Sequence, residues 1–176
     1  SDILSQKYLL KLYKPLQTWL LKRADLILGT TPVYSQCSED LDKYKTKIKT
    51  LPIGILDNSY QYSKEYYDKI KKEYYSKKII FSLGRLVSYK GYEYLIKSAK
   101  YLDDSYIILI GGKGVLHNSL QELINRENLQ DKVKLLGYLN DEIAYSYYKL
   151  CDIYCLSSIE KTEAFAIVQI EAMSFS

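Results

Sequence analysis

Two glutamates eight positions apart, Glu163 and Glu171, are the residues of this sequence best placed to bind a polar ligand. Glu171 lies in an apolar run with the pattern of a helix, and Glu163 lies just before that run. Eight helical residues rise about 12 Å, so the two carboxylates would contact separated parts of one elongated ligand. The helix start between them would offer free N–H groups and a positive dipole end to a phosphate. A nucleotide-sugar, with ribose hydroxyls, a diphosphate and sugar hydroxyls in a row, has this layout.

Arg85 and Lys90 are the cations best placed to meet such a ligand. They lie between Gly84 and Gly91, in a loop that follows an apolar run at 79–83 with the pattern of a strand. Glycine lets a backbone come close to a ligand, and arginine and lysine can both reach one diphosphate. Taken alone, this loop is explained equally well as an ordinary turn with cations on its surface.

A second glycine-rich loop, at residues 111–114, carries a weaker signal. The position that a dinucleotide fingerprint reserves for its last glycine is occupied by His117, so the loop is not that fingerprint. Contact of Gly112 with a phosphate or a sugar is one interpretation of this loop. A plain turn is the favoured interpretation.

The loop after the third predicted strand contains Tyr138 and Leu139. These two side chains are candidates to sandwich a nucleotide base. Asn140 or Asp141 is better explained as the cap of the next helix, because either side chain can accept a hydrogen bond from an N–H group of the first helical turn.

Other kinds of active site are poorly supported by this sequence. His117 is the only histidine, so neither a triad that uses histidine nor a multi-histidine metal site can be assembled. Cys151 and Cys155 lack the further ligands that zinc requires and are expected to be thiols in the core. No Asp-x-Asp pair follows a predicted strand, so we expect cations to hold the diphosphate, without a metal or another cofactor.

The composition is that of a globular protein of the cytoplasm. The chain has 176 residues, of which 47% are hydrophobic, enough for one domain or for one domain and a piece of another. No apolar run approaches the roughly 20 residues that span a bilayer, no signal peptide is visible, and three cysteines give no even disulfide framework. The net charge of +4 is uneven, because residues 1–78 have 15 basic against 9 acidic side chains and residues 79–176 have 10 against 12. The basic half is either a solvated surface or a surface for an anionic partner.

Hydrophobic periodicity predicts a parallel α/β fold for the second half of the chain. Four apolar strands alternate there with four helices, which is the pattern of βαβ units with helices on both faces of a parallel sheet. Ligands bind such sheets beyond the carboxyl ends of the strands, which is where the loops described above would meet. The predicted strands are 79–83, 106–110, 133–136 and 152–156, and the predicted helices are 91–102, 118–127, 141–150 and 164–174.

The first half of the chain has a less regular pattern. A helix is predicted at 5–23, with Pro15 as a kink or as a start. Thr31 and Pro32 are expected to begin a second helix, because proline favours the first helical position. The other predicted elements are a short buried strand at 26–29, a second short strand at 47–51, a connector at 52–58 and a helix at 63–75.

Taken in order, these segments resemble the retaining glycosyltransferases of family 4, which have the GT-B fold. Residues 24–31 resemble the last strand region of the family's acceptor domain, and 49–54 resemble its crossing between domains. The loop at 84–91 resembles the family's diphosphate-binding loop, and residues 151–171 contain its Glu-x7-Glu segment. The implied domains are the tail of an N-terminal acceptor domain (1–52), a connector (53–58) and a donor-binding Rossmann-like domain truncated at its C-terminal end (59–176).

The resemblance also implies a role for each site residue. Arg85 and Lys90 would bind the donor diphosphate and stabilise the departing nucleotide, and Glu163 would contact hydroxyls of the donor sugar. These three are the implied catalytic residues. The implied substrate-binding residues are Glu171 at the ribose, Phe165 and Ala166 with backbone N–H groups near the sugar and diphosphate, and Gly84, Gly112, Tyr138 and Leu139.

The chain departs from the family's pattern in several places. Ala166 stands where the family often has glycine, which would narrow the donor pocket. The connector from Gly54 to Asp57 is one residue longer than the usual one. The family's first glycine-rich loop and its acceptor-domain histidine would lie upstream of Ser1, and its terminal strand and crossing helix would follow Ser176. Donor binding is therefore a stronger expectation for this piece than catalysis.

The implied reaction moves a hexose or an N-acetylhexosamine from a nucleotide-diphosphate sugar, with UDP as the expected nucleotide, to an acceptor hydroxyl with retention. The implied setting is bacterial O-antigen or capsule assembly on a lipid-linked saccharide, with no nucleic acid partner. Residues 7–23 would contact the inner face of the plasma membrane or pack against their own domain. The alternative function is a non-catalytic nucleotide-sugar-binding module. A dinucleotide-binding oxidoreductase is disfavoured, because no glycine fingerprint follows the strand at 79–83.

Overall fold

The computed structural model describes residues 7–54, 61–160 and 166–175, which fall into two compact units. The first unit ends at Gly54 and the second begins at Ile55. The elements of the first unit are α1 (Lys7–Arg23), β1 (Ile27–Gly29), α2 (Pro32–Cys37), a 3-10 segment (Asp42–Lys47) and β2 (Ile48–Thr50).

The first unit is held together by a two-stranded parallel sheet and by one lysine. β1 and β2 pair in parallel, with Ile27 opposite Ile48. The Lys47 ammonium donates hydrogen bonds of 2.9 Å to the carbonyl oxygens of Lys22 and Ala24, at the end of α1. A cation there satisfies helix-end carbonyls that have no partner within the helix. α2 begins at Pro32, as predicted, whereas Pro15 lies inside α1 and not at its start.

The first unit buries almost none of its apolar side chains. Of its residues whose burial the structure describes, only Gly29 and Ser35 are buried. The prediction of a buried strand at 26–29 is therefore wrong in part, since the Leu28 side chain is 55% exposed. Two strands and the short α2 are too small to cover both faces of a sheet, so the predicted strand forms without the predicted burial.

The second unit is a four-stranded parallel sheet between two layers of helices. The strand order is β5-β4-β3-β6, and every pair is parallel. This arrangement confirms the predicted α/β fold with helices on both faces. Its elements are α3 (Lys64–Glu73), β3 (Lys78–Leu83), α4 (Tyr92–Ser98), β4 (Tyr106–Gly111), α5 (His117–Arg126), β5 (Val133–Gly137), α6 (Asp141–Leu150), β6 (Ile153–Tyr154) and α7 (Ile167–Ser174), with 3-10 turns at Ser88–Lys90 and Ala99–Tyr101.

Alternating side chains of the two central strands divide the core between the two faces of the sheet. Ile80 and Ile108 pack with residues of α4 and α5. Phe81 and Leu109 point to the opposite face and pack with residues of α3 and α6. Because successive side chains of a strand point to opposite faces, a continuous run of apolar residues serves both layers at once. Each fully buried side chain of this size stabilises the fold by about 1.5–3 kcal/mol.

Two elements near the end of the chain are shorter than predicted. β6 spans two residues, and just before it the Asp152 carboxylate accepts a hydrogen bond from the Ile79 N–H, at 2.7 Å. α7 begins at Ile167, since Ala166 has φ −82° and ψ 80°, outside the helical region. The assumption of a continuous helix from Glu163 to Glu171, with a rise of about 12 Å, is therefore wrong.

Candidate functional site

The strand order of the second unit reverses between β3 and β6. The chain runs outward from β3 to β4 and β5, and then returns to place β6 on the other side of β3. In open parallel sheets, the crevice beyond the carboxyl ends of the strands at such a reversal is the usual ligand site. The loop after β3, residues 84–91, and the segment after β6, from Cys155, flank this crevice.

Two hydrogen bonds join these two segments, which together form one wall of the crevice. The Ile159 N–H donates to the Tyr89 carbonyl oxygen at 2.9 Å, and the Ser157 hydroxyl donates to the Lys90 carbonyl oxygen at 2.7 Å. Gly91 has φ +66°, and a Cβ atom there would collide with the Ser157 carbonyl oxygen. A glycine at this turn therefore permits the close approach that fixes the loop of β3 against the segment of β6.

Arg85 and Lys90, the two predicted diphosphate ligands, both contact the side chain of Tyr89. The Arg85 guanidinium donates to the Tyr89 hydroxyl at 3.4 Å, and the Lys90 ammonium lies 5.6 Å from the centre of the ring. Lys90 is only 8% exposed, whereas Arg85 is exposed. The structure therefore brings the two cations to the same aromatic ring at the carboxyl end of β3, one of them partly withdrawn from water.

Gly84 and Gly112 bring the ends of β3 and β4 into backbone contact. A Cβ atom on Gly84 would lie 2.8 Å from the Tyr92 hydroxyl and 3.7 Å from the Lys90 ammonium. Gly112 has φ +136°, and a Cβ atom there would collide with the Gly84 carbonyl oxygen. Packing alone thus requires glycine at Gly112, while a Cβ atom on Gly84 would require the Tyr92 side chain to shift. The predicted contact of both glycines with substrate stays a prediction.

Tyr138 and Leu139, predicted to sandwich a base, have different environments. The Tyr138 ring is 67% exposed, and the Lys113 ammonium lies 5.0 Å from its centre. Leu139 packs against Leu83 and Gly111 at the end of the sheet, on the face that holds the α6 core residues. Tyr138 therefore offers a ring to a ligand, while the Leu139 side chain is engaged in packing.

Glu171 lies on α7 and is partly buried beside α6. The Tyr148 hydroxyl is 3.5 Å from its Oε2 atom, in position to donate a hydrogen bond. Burial raises the pKa of Glu171 above its ordinary value, the Tyr148 hydrogen bond lowers it, and the negative charge of Asp141 raises it further. An ionised carboxylate at this position can accept hydrogen bonds from two neighbouring hydroxyls, as the ribose role requires.

Of the remaining predicted site residues, the structure describes Ala166, at the start of α7. Ala166 is the residue before the first helical turn, and no side chain among the described residues caps that turn. The N–H groups of this first turn are therefore suited to bind an anion. Glu163 and Phe165, the predicted sugar and backbone contacts, lie outside the described residues.

Comparison with known proteins gives the family of the chain. The family model for glycosyl transferases group 1 matches residues 63–176. The chain belongs to the group 1 glycosyltransferases. The recognition from sequence is confirmed at this level, while assignment to retaining family 4 stays a prediction.

Relatives of this group 1 glycosyltransferase include two named for sugar transfer. O-antigen chain mannosyltransferase C of Escherichia coli is 30% identical over 176 residues, which are 100% of this chain and 46% of that protein. D-rhamnosyltransferase WbpZ of Pseudomonas aeruginosa is 27% identical, over 99% of this chain and 45% of its own length. The chain thus spans about half the length of these relatives.

Solved structures of GT-B glycosyltransferases share the fold. Anabaena HepE in complex with UDP and glucose superposes with a TM-score of 0.79 at 20% identity, over 92% of this chain and 45% of HepE. Sucrose-phosphate synthase of Thermosynechococcus elongatus superposes with a TM-score of 0.73 at 20% identity, over 90% of this chain and 41% of its own. At such identities the likeness establishes the fold alone.

Three tyrosines near the predicted site residues were not identified from the sequence. Tyr89 contacts both cations, and Tyr148 and Tyr154 lie behind Glu171. Tyr89 stands between Arg85 and Lys90 in the sequence, which is a local signal. The other two carry no such signal in a chain with 20 tyrosines.

The described residues also bear on metals, thiols and membranes. Among residues 7–54, 61–160 and 166–175, no three or more His, Cys, Asp or Glu side chains are grouped closely enough to hold a metal ion. Burial raises the pKa of Cys151 to about 11 and also raises that of Cys155, which disfavours the reactive thiolates. No helix in these ranges is long and apolar enough to cross a membrane.

Proposed function

We propose that this chain binds a nucleotide-diphosphate sugar and forms the donor part of a transferase that moves the sugar to an acceptor hydroxyl with retention. The observation that carries the proposal is the wall at the reversal of strand order. There, two hydrogen bonds fix the loop of Arg85 and Lys90 to the segment after β6. Cations fixed in this way need little reorganisation when negative charge develops between them.

In the proposed mechanism, each part of the donor meets a different element. Arg85 and Lys90 offset the charge that builds on the leaving diphosphate, and they do so without a metal. The first turn of α7 directs its N–H groups at the same phosphates. Glu171 accepts hydrogen bonds from the ribose, and Glu163 holds the sugar hydroxyls. As the bond from the anomeric carbon to the diphosphate breaks, the acceptor oxygen bonds to that carbon on the same face and its proton passes to the departing diphosphate, so the configuration is retained.

A UDP-sugar is the proposed donor, and a lipid-linked saccharide is the proposed acceptor. Complexes of HepE with UDP and with UDP-glucose support the nucleotide. A Campylobacter jejuni relative, 36% identical over 99 residues, is named as a transferase to a diphospho-undecaprenol saccharide, which supports a lipid-linked acceptor. O-antigen or capsule assembly is the proposed setting, with peripheral contact of residues 7–23 at the membrane and a cytoplasmic location.

Ligand-observed NMR with a panel of nucleotide sugars tests donor binding. UDP-glucose, UDP-N-acetylglucosamine and GDP-mannose are each titrated with the 176-residue protein, with and without EDTA. We expect a UDP-sugar to bind and EDTA to leave its affinity unchanged. Preference for GDP-mannose would replace the proposed nucleotide, and loss of binding in EDTA would contradict a metal-free site. Failure of all donors to bind would overturn the proposed function.

A further inference from the structure

Behind Glu171, three aromatic rings clamp the side chain of Tyr148. Tyr148 is 3% exposed and lies on α6. Its ring meets Phe81 edge-on at 5.4 Å, meets Tyr154 edge-on at 5.4 Å, and stacks on Phe175 at 5.9 Å. A ring packed on several sides has one available rotamer, so the position of its hydroxyl is fixed by the core of the second unit.

The side chains of Tyr148 and Tyr154 connect Glu171 with the end of β3. The Tyr148 hydroxyl lies 3.5 Å from Oε2 of Glu171, and the ring of Tyr148 meets the ring of Tyr154 edge-on at 5.4 Å. The Tyr154 hydroxyl donates in turn to the carbonyl oxygen of Leu83, at 3.4 Å. Leu83 is the last residue of β3 and directly precedes Gly84 and the cationic loop.

We propose that Tyr148 and Tyr154 are positioning residues, which orient the Glu171 carboxylate toward the ribose and tie it to the end of β3. This inference rests on the proposed function, since it assigns Glu171 to a nucleotide. Contact at Oε2 leaves acceptor capacity on the carboxylate for ribose hydroxyls. The two packed tyrosines thereby link the ribose contact on α7 to the strand that presents the diphosphate contacts.

The simplest alternative is that Tyr148 only fills the core. A core function needs the ring and not the hydroxyl, and it predicts no connection between the Tyr148 hydroxyl and the ligand. Tyr147 provides a matched control, because it is the neighbouring residue of α6, is 8% exposed and stacks on Phe81 at 5.1 Å. Tyr147→Phe and Tyr148→Phe each remove one hydroxyl from the same core and leave the ring in place.

Calorimetric titration of the 176-residue protein with UDP and with 2′,3′-dideoxy-UDP tests the proposal. We expect Tyr148→Phe to weaken UDP binding about three- to tenfold, to leave dideoxy-UDP binding unchanged, and so to reduce discrimination in favour of the ribose hydroxyls. Tyr147→Phe is expected to change neither affinity. In a Glu171→Gln background, Tyr148→Phe should have no further effect on that discrimination.

The pH dependence of UDP binding provides a second test, because it would not change if Tyr148 had a purely structural role. The groups that face Glu171 are Asp141 and Tyr148 of α6 and Tyr154 of β6. Because the Tyr148 hydrogen bond lowers the pKa of Glu171, its removal should raise that pKa. Binding by an ionised carboxylate would then be lost at a higher pH as the solution is acidified, in Tyr148→Phe and not in Tyr147→Phe.

The possible outcomes separate this inference from the proposed function. Wild-type protein that binds neither UDP nor GDP would overturn the proposed function, and the inference with it. If wild type binds UDP and discriminates against the dideoxy compound, the inference alone is at stake. It is then overturned if Tyr148→Phe still prefers UDP over dideoxy-UDP as strongly as wild type does. It is also overturned if both tyrosine variants lose the same UDP affinity, or if Tyr148→Phe loses UDP binding in acid at the same pH as wild type.

Discussion

The two units of this chain differ in how far their apolar side chains are buried. In the second unit, Phe81, Ile96 and Leu109 are completely buried between a sheet and two helical layers. In the first unit, Leu16, Trp19 and Leu20 are all more than half exposed. Both units contain parallel strands and helices of similar composition. The difference lies in the number of layers, since four strands with helices on both faces enclose a core and two strands do not.

This contrast indicates which unit can hold the side chains of a binding site in fixed positions. A site needs side chains whose rotamers are locked by packing and by hydrogen bonds. The second unit supplies such support to Lys90, Tyr148 and Glu171. In the first unit, the Lys47 ammonium holds the end of α1, while the Leu16, Trp19 and Leu20 side chains of that helix are exposed. The proposed donor site therefore lies in the second unit.

Phe81→Ala should have the largest effect of the changes that test this contrast. The ring is completely buried and lies 5.1 Å from Tyr147 and 5.4 Å from Tyr148, so its loss should lower the free energy of unfolding by about 3–5 kcal/mol. Urea unfolding followed by circular dichroism measures the change. Trp19→Ala, at a side chain that is 55% exposed, is expected to leave the same transition in place. Equal losses from the two variants would contradict the contrast.

Gly112→Ala should follow, with a loss of about 3 kcal/mol. Its φ of +136° is unfavourable for alanine, and the new Cβ atom would collide with the carbonyl oxygen of Gly84. Gly54→Ala is the matched change in the first unit, where no heavy atom lies within 4 Å of a built Cβ. Thermal unfolding of the two variants compares them. A destabilised Gly54→Ala with an unaffected Gly112→Ala would reverse the expected order.

Lys90→Ala should weaken UDP binding by about 1.5–3 kcal/mol if the ammonium makes a charge-assisted hydrogen bond to the diphosphate. Isothermal calorimetry measures the affinity, and circular dichroism checks that the fold is retained, because Lys90 is buried. Lys14→Ala is the control in the first unit, since Lys14 is an exposed cation paired with Asp40 at 2.8 Å and has no assigned ligand. Unchanged affinity in a folded Lys90→Ala would remove this lysine from the site.

Glu171→Gln should have a small effect on stability, with a size that depends on pH. The pKa of Glu171 is raised in the folded protein, so its contribution is favourable below the ordinary value of 4.5 and is lost as pH rises through the raised pKa. Glutamine does not titrate. The variant should therefore gain stability relative to wild type at neutral pH, and the gain should disappear in acid. Urea midpoints measured across this pH range provide the test.

Asp42→Asn, in the first unit, should change the stability at neutral pH in the opposite direction. A hydrogen bond from Lys45 lowers the pKa of Asp42, so its contribution is present above the ordinary value of 3.8 and is lost as pH falls through the lowered pKa. The variant should therefore lose a little stability at neutral pH. If both variants respond to pH in the same direction, one of the two assignments is wrong.

Much of the second unit could be predicted because its signals are local. The apolar runs of β3 and β4 are long enough to be buried on both faces, and Asn140 caps α6 through a hydrogen bond from the Ile143 N–H at 3.0 Å, as expected. The strand-end rule then placed Arg85 and Lys90 in one loop at the edge of the sheet. Helix bounds were less certain, since α4 ends at Ser98 and continues only as a 3-10 turn.

What could not be predicted depends on contacts between distant residues. One such contact is the hydrogen bond from the Ile79 N–H to the Asp152 carboxylate, 73 positions away in the sequence. The contact of Glu171 with Tyr148 and the packing of Tyr148 on Tyr154 arise from the tertiary fold, which alone distinguishes these two tyrosines from the others. The exposure of Leu28 follows from the small number of strands in its sheet, a quantity that no local pattern encodes.

The position of Trp19 gives each unit its own optical signal. It is the only tryptophan of the sequence, it lies in the first unit, and the Arg23 guanidinium is 5.4 Å from its ring centre. The aromatic cluster of the second unit consists of phenylalanine and tyrosine. Selective excitation of indole fluorescence will therefore follow the first unit, while tyrosine absorbance in the near ultraviolet will be dominated by the second. One sample can thus report the melting of both units separately.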